Sequence, residues 1–313
     1  MGVSAGPALA GPPRSLTGWT TSPSTLRRLA LASVVVNVAI VVTGGAVRLT
    51  NSGLGCPTWP RCSGSQLVPS DKLGIHGAIE FTNRTLTGVV GVILVLTLLV
   101  AWRQRRHAGL ALLALAGIPA QAVLGGIVVL TDLNPWLVAL HFLLSVAIIA
   151  VTFLLWWRVS EHPASVVSSP ARALVRLMVG VAALVLVAGT VVTGAGPHAG
   201  DVKNGQVHRI ALPIIGLTQL HADLVMVLIG LTVGALALAH VLRAGPLRRA
   251  AGALLAVELA QGAIGYTQYF LHVPALLVGV HMLGACLVWL AALWVLLSSA
   301  AGSVPAAPAI AGQ

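Results

Sequence analysis

The stretch His76-Gly-Ala-Ile-Glu-Phe-Thr-Asn-Arg-Thr-Leu-Thr-Gly88 sets a histidine, a glutamate and an arginine within nine residues, at the head of an apolar run reaching about Val100. Ionisable groups at membrane depth cost several kcal/mol unless paired, ligated or hydrated, so they mark a candidate site. His76, Glu80, Asn83 and Arg84 are spaced i, i+4, i+7, i+8 and share one face of a helix. Such a face can do acid–base or ligand chemistry. It can also be an interfacial stripe whose long side chains reach back to water.

Three histidines, His141, His221 and His281, lie within other apolar runs. Each falls six to eight residues into a run entering from the same side, roughly 8–12 Å below that surface at the rise of a helix. Glu80 and Asn83 reach a similar depth. His221 and His281 could hold one metal from facing helices, and two axial imidazoles in an apolar bundle suit haem iron. Helix-to-helix hydrogen bonds and a proton or metal pathway are the other readings of such histidines. Where a partner for His141 is expected, the first half of the chain has Asn83, an amide and a poor iron ligand. One protein ligand would leave an axial position open for chemistry, whereas a closed pair suits electron transfer.

The elements that must carry these residues follow from composition. The chain has 313 residues, 57% hydrophobic and 8% charged, with mean hydropathy +0.96, which excludes a soluble domain. Eight runs are long enough to span a bilayer: about 29–48, 75–101, 109–131, 136–158, 172–194, 214–240, 249–271 and 275–299. The net charge of +11 sits in short connections and forms no patch with interleaved aromatics, so no nucleic-acid partner is implied. Twelve of the eighteen basic residues, from Arg14, Arg27 and Arg28 to Arg243, Arg248 and Arg249, fall at one set of ends. By the positive-inside rule both termini are cytoplasmic, in a multi-pass protein of the cell membrane. Arg48, Arg61, Lys72, Arg84, Lys203 and Arg209 belong to the other side.

An internal repeat divides the chain. Gln121-x3-Gly125 precedes His141 by the same twenty residues that separate Gln261-x3-Gly265 from His281, and Val42-Thr-Gly-Gly-Ala-Val echoes Val187-Ala-Gly-Thr-Val-Val. The expected fold is all-α and integral to the membrane, with eight transmembrane helices in two pseudo-twofold-related four-helix bundles. The expected boundaries are a disordered cytoplasmic N-terminus (1–28), a first half (29–158), a cytoplasmic linker (159–171), a second half (172–299) and a cytoplasmic tail (300–313). Cys56 and Cys62 flank two prolines in an outside loop, where a disulfide is permitted and a compact turn favoured. Trp59 and Trp136 read as interface anchors, and Cys286 as a small core residue.

The stretch from Thr43-Gly-Gly-Ala-Val-Arg-Leu-Thr-Asn-Ser-Gly-Leu-Gly-Cys through Pro-Thr-Trp-Pro-Arg-Cys62 resembles the haem A synthases. So do Glu80-Phe-Thr-Asn-Arg84, Gly194-Ala-Gly-Pro-His-Ala-Gly-Asp201, Gln219-Leu-His221, His141 and His281. The resemblance covers about residues 29–299. It implies an oxidoreductase that converts the C8 methyl of haem O to a formyl group by successive hydroxylations and loss of water. Haem b would lie between His221 and His281. His141 would ligate the substrate haem iron, with Glu80 beside the reacting methyl and Asn83 at the place of a second ligand. Arg48, Arg84 and Arg209 are placed where propionates could point. The resemblance further implies a haem O synthase as the source of substrate, an electron donor that the sequence does not name, and activity linked to the cysteine pair. A homo-oligomer stays open. Many relatives carry Glu-x2-His-Arg in the second span; the histidine is Asn83 here, so either His141 acts alone or His76 substitutes. The competing reading is a diheme membrane cytochrome b that passes electrons from quinol without altering haem.

Overall fold

The computed structural model describes residues 22–64, 66–69, 73–200 and 208–301; Arg14, Lys72, Asp201 and Lys203 fall outside these. The described residues form eight α-helices: α1 (Pro23–Leu49), α2 (Gly74–Arg103), α3 (Ala108–Leu130), α4 (Pro135–Ser160), α5 (Ser169–Ala195), α6 (Ile214–Val241), α7 (Gly245–Phe270) and α8 (Ala275–Leu297). Seven are long and apolar enough to cross a membrane. The helix α7 matches them in length but carries Arg248, Arg249, Glu258, Gln261 and Gln268.

Proline sets several helix starts, because its fixed φ suits the first turn and its missing N–H is not needed there. Pro23 opens α1 six residues before the hydropathy boundary, so residues 23–28 are helical, not disordered as expected. Pro135 opens α4, and Asn134 accepts the Trp136 backbone N–H at 3.0 Å as its cap.

Tight turns fix the neighbours. After α3, the backbone N–H groups of Thr131, Asp132 and Leu133 bond Ile127, Val129 and Val128; after α7, those of Leu271, His272 and Val273 bond Thr267, Tyr269 and Gln268 in the same register. The connections after α2 and α6 match likewise, with Arg105 and Arg243 both at positive φ. Helix α1 packs on α2 and α4, and α3 on the same two; α5 packs on α6 and α8, and α7 on the same two. Helices α1, α4, α5 and α8 join the sets, with Trp289 Nε1 of α8 donating to the Val146 carbonyl of α4 at 3.1 Å. The linker holds a short strand, β1 (Ser165–Val167), paired in parallel with β2 (Ser299–Ala301), which follows α8.

Candidate functional site

The three intramembrane histidines share one local construction. A Cβ added to Gly125 of α3 would lie 3.1 Å from His141 Cε1, and one on Gly265 of α7 would lie 3.5 Å from His281 Cε1. On α5, a Cβ at Gly189 would lie 3.2 Å from His221 Cε1. Each ring therefore leans on a neighbouring helix that lacks a side chain at the point of contact. All three Nδ1 atoms are buried without a hydrogen-bond partner, while the residues as a whole are half-buried. The backbone of Val185 comes near the His221 ring, and His221 and His281 are close enough to interact electrostatically.

The glutamines of the repeat brace the same helices. Gln121 Nε2 donates to the His141 carbonyl at 3.1 Å and to Ser145 Oγ at 2.6 Å, and Gln261 Nε2 donates to the His281 carbonyl at 3.0 Å. The spacing seen in the sequence thus has a physical meaning. Glutamine holds the backbone of the histidine, and glycine one turn on makes room for its ring.

Asn83 occupies the fourth place of this pattern. A Cβ on Gly44 would lie 3.8 Å from Asn83 Nδ2, and Gly44 is the counterpart of Gly189 in the α1/α5 echo. The Asn83 amide oxygen accepts from Thr43 Oγ1 at 2.8 Å. His76 is elsewhere: it is exposed at the outer end of α2, its Nδ1 2.9 Å from Ser52 Oγ.

Glu80 and Arg84 form an ion pair one turn apart on α2, and both also grip the loop before it. Glu80 Oε2 accepts the Cys56 backbone N–H at 2.6 Å. Arg84 donates to the carbonyls of Thr58 and Cys56, each at 2.9 Å. The Cys56–Cys62 disulfide is formed and both cysteines are buried. Trp59 at the tip of this loop lies against Gly126, where an added Cβ would lie 2.5 Å from the indole. It is thus packed on α3 beside the His141 cradle, with 38% of its surface exposed, and is more than an interface anchor. Arg84, expected at a propionate, has Nε, Nη1 and Nη2 all engaged by Glu80 and the loop carbonyls.

At the end of α1 Arg48 donates from Nε to the His198 carbonyl at 2.6 Å and from Nη2 to the Thr193 carbonyl at 3.0 Å. His198 Nε2 lies 2.8 Å from the Val273 carbonyl, so the end of α1 is tied through His198 to two loops of the other helix set. Arg209 is exposed, its nearest acceptor the Pro197 carbonyl at 3.5 Å. Glu258, not singled out from the sequence, is 2% exposed within α7. A lone carboxylate three residues before the repeated Gln261 was the available signal.

The family model of cytochrome oxidase assembly proteins (COX15-CtaA) matches residues 27–204, more than half of the chain. The chain belongs to this family. As a COX15-CtaA member with seven long apolar helices, it is a multi-pass membrane protein. It is 36% identical over 135 residues to a heme A synthase of Lysinibacillus sphaericus, covering 42% of this chain and 43% of that protein. It is 31% identical over 137 residues to a heme A synthase of Alkalihalophilus pseudofirmus, 41% and 46% of the two chains. With a heme A synthase of Bacillus cereus the figures are 34% over 126 residues, 38% and 40%. The chain thus spans less than half the length of each of these curated relatives.

Proposed function

We propose that the protein is a haem A synthase of the cell membrane, with both termini cytoplasmic. It would oxidise the C8 methyl of haem O to a formyl group by successive hydroxylations followed by loss of water. The observation that carries this is the unequal fourth place: Asn83 faces Gly44 where the other half sets His221 against Gly189.

The matched turns, the repeated Gln–His braces and the helix packing support two pseudo-twofold-related four-helix halves with eight spans, α7 included. A polar α7 is compatible with crossing the bilayer because its Glu258 and Gln261 are turned to neighbouring helices.

The residues fit haem. Half-buried histidines whose ring nitrogens are not taken up by protein partners at Nδ1, set on glycines of neighbouring helices, suit ligation of a haem iron. His221 and His281 would hold haem b as a closed pair. His141 would hold the iron of the substrate, haem O, from one side, and Asn83 would leave the other side open. Bound haem iron supplies one-electron transfer at a closed site and activation of the oxidant at an open one. Glu80, paired with Arg84 and holding the Cys56 N–H through Oε2, would handle protons or position the methyl as it is oxidised. Arg48, with Nη1 outside its loop contacts, and Arg209 supply guanidinium to propionates.

The test is to purify the protein and identify its extracted pigments by chromatography. Haem B together with haem O, its hydroxylated form or haem A is expected. Haem B alone overturns the enzyme in favour of an electron carrier, and a colourless protein overturns both.

A further inference from the structure

Glu258 has no part in the chemistry above, yet it is a nearly fully buried carboxyl group inside the second half. Its Oε1 accepts from Thr232 Oγ1 of α6 at 2.8 Å, while Oε2 is buried and without a hydrogen-bond partner. Leu254 lies one turn away on α7, and Leu228 and Ala235 flank Thr232 on α6, all fully buried. Burying an unpaired carboxylate in such surroundings costs several kcal/mol, and among the described residues no cation pairs with it. The titratable residues on the packed elements are His221, Asp223 and His240 of α6, and His281 and Cys286 of α8. On α7 itself they are Arg248, Arg249, Tyr266 and Tyr269. None of them forms an ion pair or hydrogen bond with Glu258.

A second orphan stands one turn along α7. Gln261 Oε1 is buried without a partner, and the Nε2 of that amide donates to the His281 carbonyl at 3.0 Å. Gln261 Oε1 faces Gly284 of α8, whereas Glu258 turns to Thr232 of α6, so these are two separate polar contacts in an apolar core. Glu258 lies two turns along α7 from Gly265, against which the His281 ring packs. The first set of helices has no acid at the matching place: Ile118 stands three residues before Gln121, and Gln121 bonds both the His141 carbonyl and Ser145.

We propose that Glu258 is a redox-linked proton site. It takes up one proton when a haem held by His221 and His281 takes up one electron. The proposal rests on the haem reading above. A ferric porphyrin with two neutral imidazoles carries one net positive charge and favours the Glu258 carboxylate; the ferrous form carries none and favours the acid. The balance is one electron from a one-electron reductant to iron, and one proton from water to Glu258.

The test is a potentiometric titration of the full chain in detergent with dithionite as the reductant, from mildly acidic to mildly alkaline pH. The wild-type midpoint potential should fall as pH rises, because the carboxylate stabilises ferric iron. In Glu258→Gln the dependence should vanish while the bis-histidine spectrum is kept. In Thr232→Val, which removes a donor to the carboxylate, the sloping region should move to higher pH. A flat wild-type profile, or a slope that persists in Glu258→Gln, overturns the proposal. Purified protein without haem overturns the functional reading and with it the redox link. In that event the infrared band of a protonated carboxyl group, present in the wild type and missing from Glu258→Gln, still decides whether Glu258 holds a proton; its absence from the wild type overturns that part too.

Discussion

The backbone N–H of Cys56 donates to Oε2 of Glu80 at 2.6 Å, so the acid proposed to handle protons also anchors the first residue of the disulfide loop. Arg84 completes the arrangement by bonding Glu80 and two carbonyls of the same loop. Loss of the guanidinium removes the charge partner of the buried Glu80 carboxyl group. Arg84→Ala should destabilise the protein by about 3 kcal/mol, the low end for a buried pair because Arg84 keeps some contact with water. Thermal unfolding in detergent measures this. Glu80→Gln should cost far less stability, since an amide still accepts from Cys56, yet lower haem A formation by about 100-fold or more. Equal activity in Glu80→Gln and wild type would remove Glu80 from the chemistry.

Asn83 stands on Gly44 as His221 stands on Gly189, and this equivalence makes a spectroscopic prediction. Asn83→His should supply a second imidazole to the substrate site. Absorption and electron paramagnetic resonance spectra of protein loaded with haem O should then gain a second low-spin, six-coordinate haem. An unchanged high-spin signal would show that position 83 does not face the iron.

The glycine cradles should be intolerant of bulk. Gly265→Leu and Gly189→Leu would each place a side chain where a histidine ring now lies. Either should abolish the bis-histidine spectrum of the second half while leaving a haem on His141. Gly125→Leu should do the reverse. Pigment content per protein, read for the three variants side by side, checks the pairing of each glycine with its own site.

Just after α4, His162 stacks on Trp157, ring centroids 4.3 Å apart, and touches Trp156. Burial, and secondly Arg27, hold its imidazole below the ordinary range. Folding therefore favours the neutral ring. This contribution to stability is complete above the unfolded value of about 6.5 and declines as pH falls below it. The unfolding temperature should drop on mild acidification in the wild type and drop less in His162→Gln. Identical pH profiles would dismiss the effect.

The helices were readable from the sequence because a bilayer demands apolar runs of fixed length, and seven of the eight runs keep that character as helices. The boundary at Pro23 was missed because Thr25, Arg27 and Arg28 lower the hydropathy of a first turn that proline nonetheless starts. The depth of the histidines and the oddity of Asn83 also followed from spacing. What spacing could not supply was partners across helices. Whether Arg84 meets a propionate or the loop carbonyls depends on where residues 56–62 fold back. Glu258 escaped attention because a lone acid in an apolar stretch gains meaning only when Thr232 is seen beside it.

The pairing of Ser165 with Ser299 has a consequence for biogenesis. The segment joining the halves finds its strand partner more than a hundred residues later in the chain, after α8. A ribosome delivering this protein to the membrane therefore releases a finished first half well before the latch beneath the second can close. Fusions or deletions that disturb residues 299–301 should leave nascent molecules open at that seam, exposed to quality-control proteases although every helix is inserted.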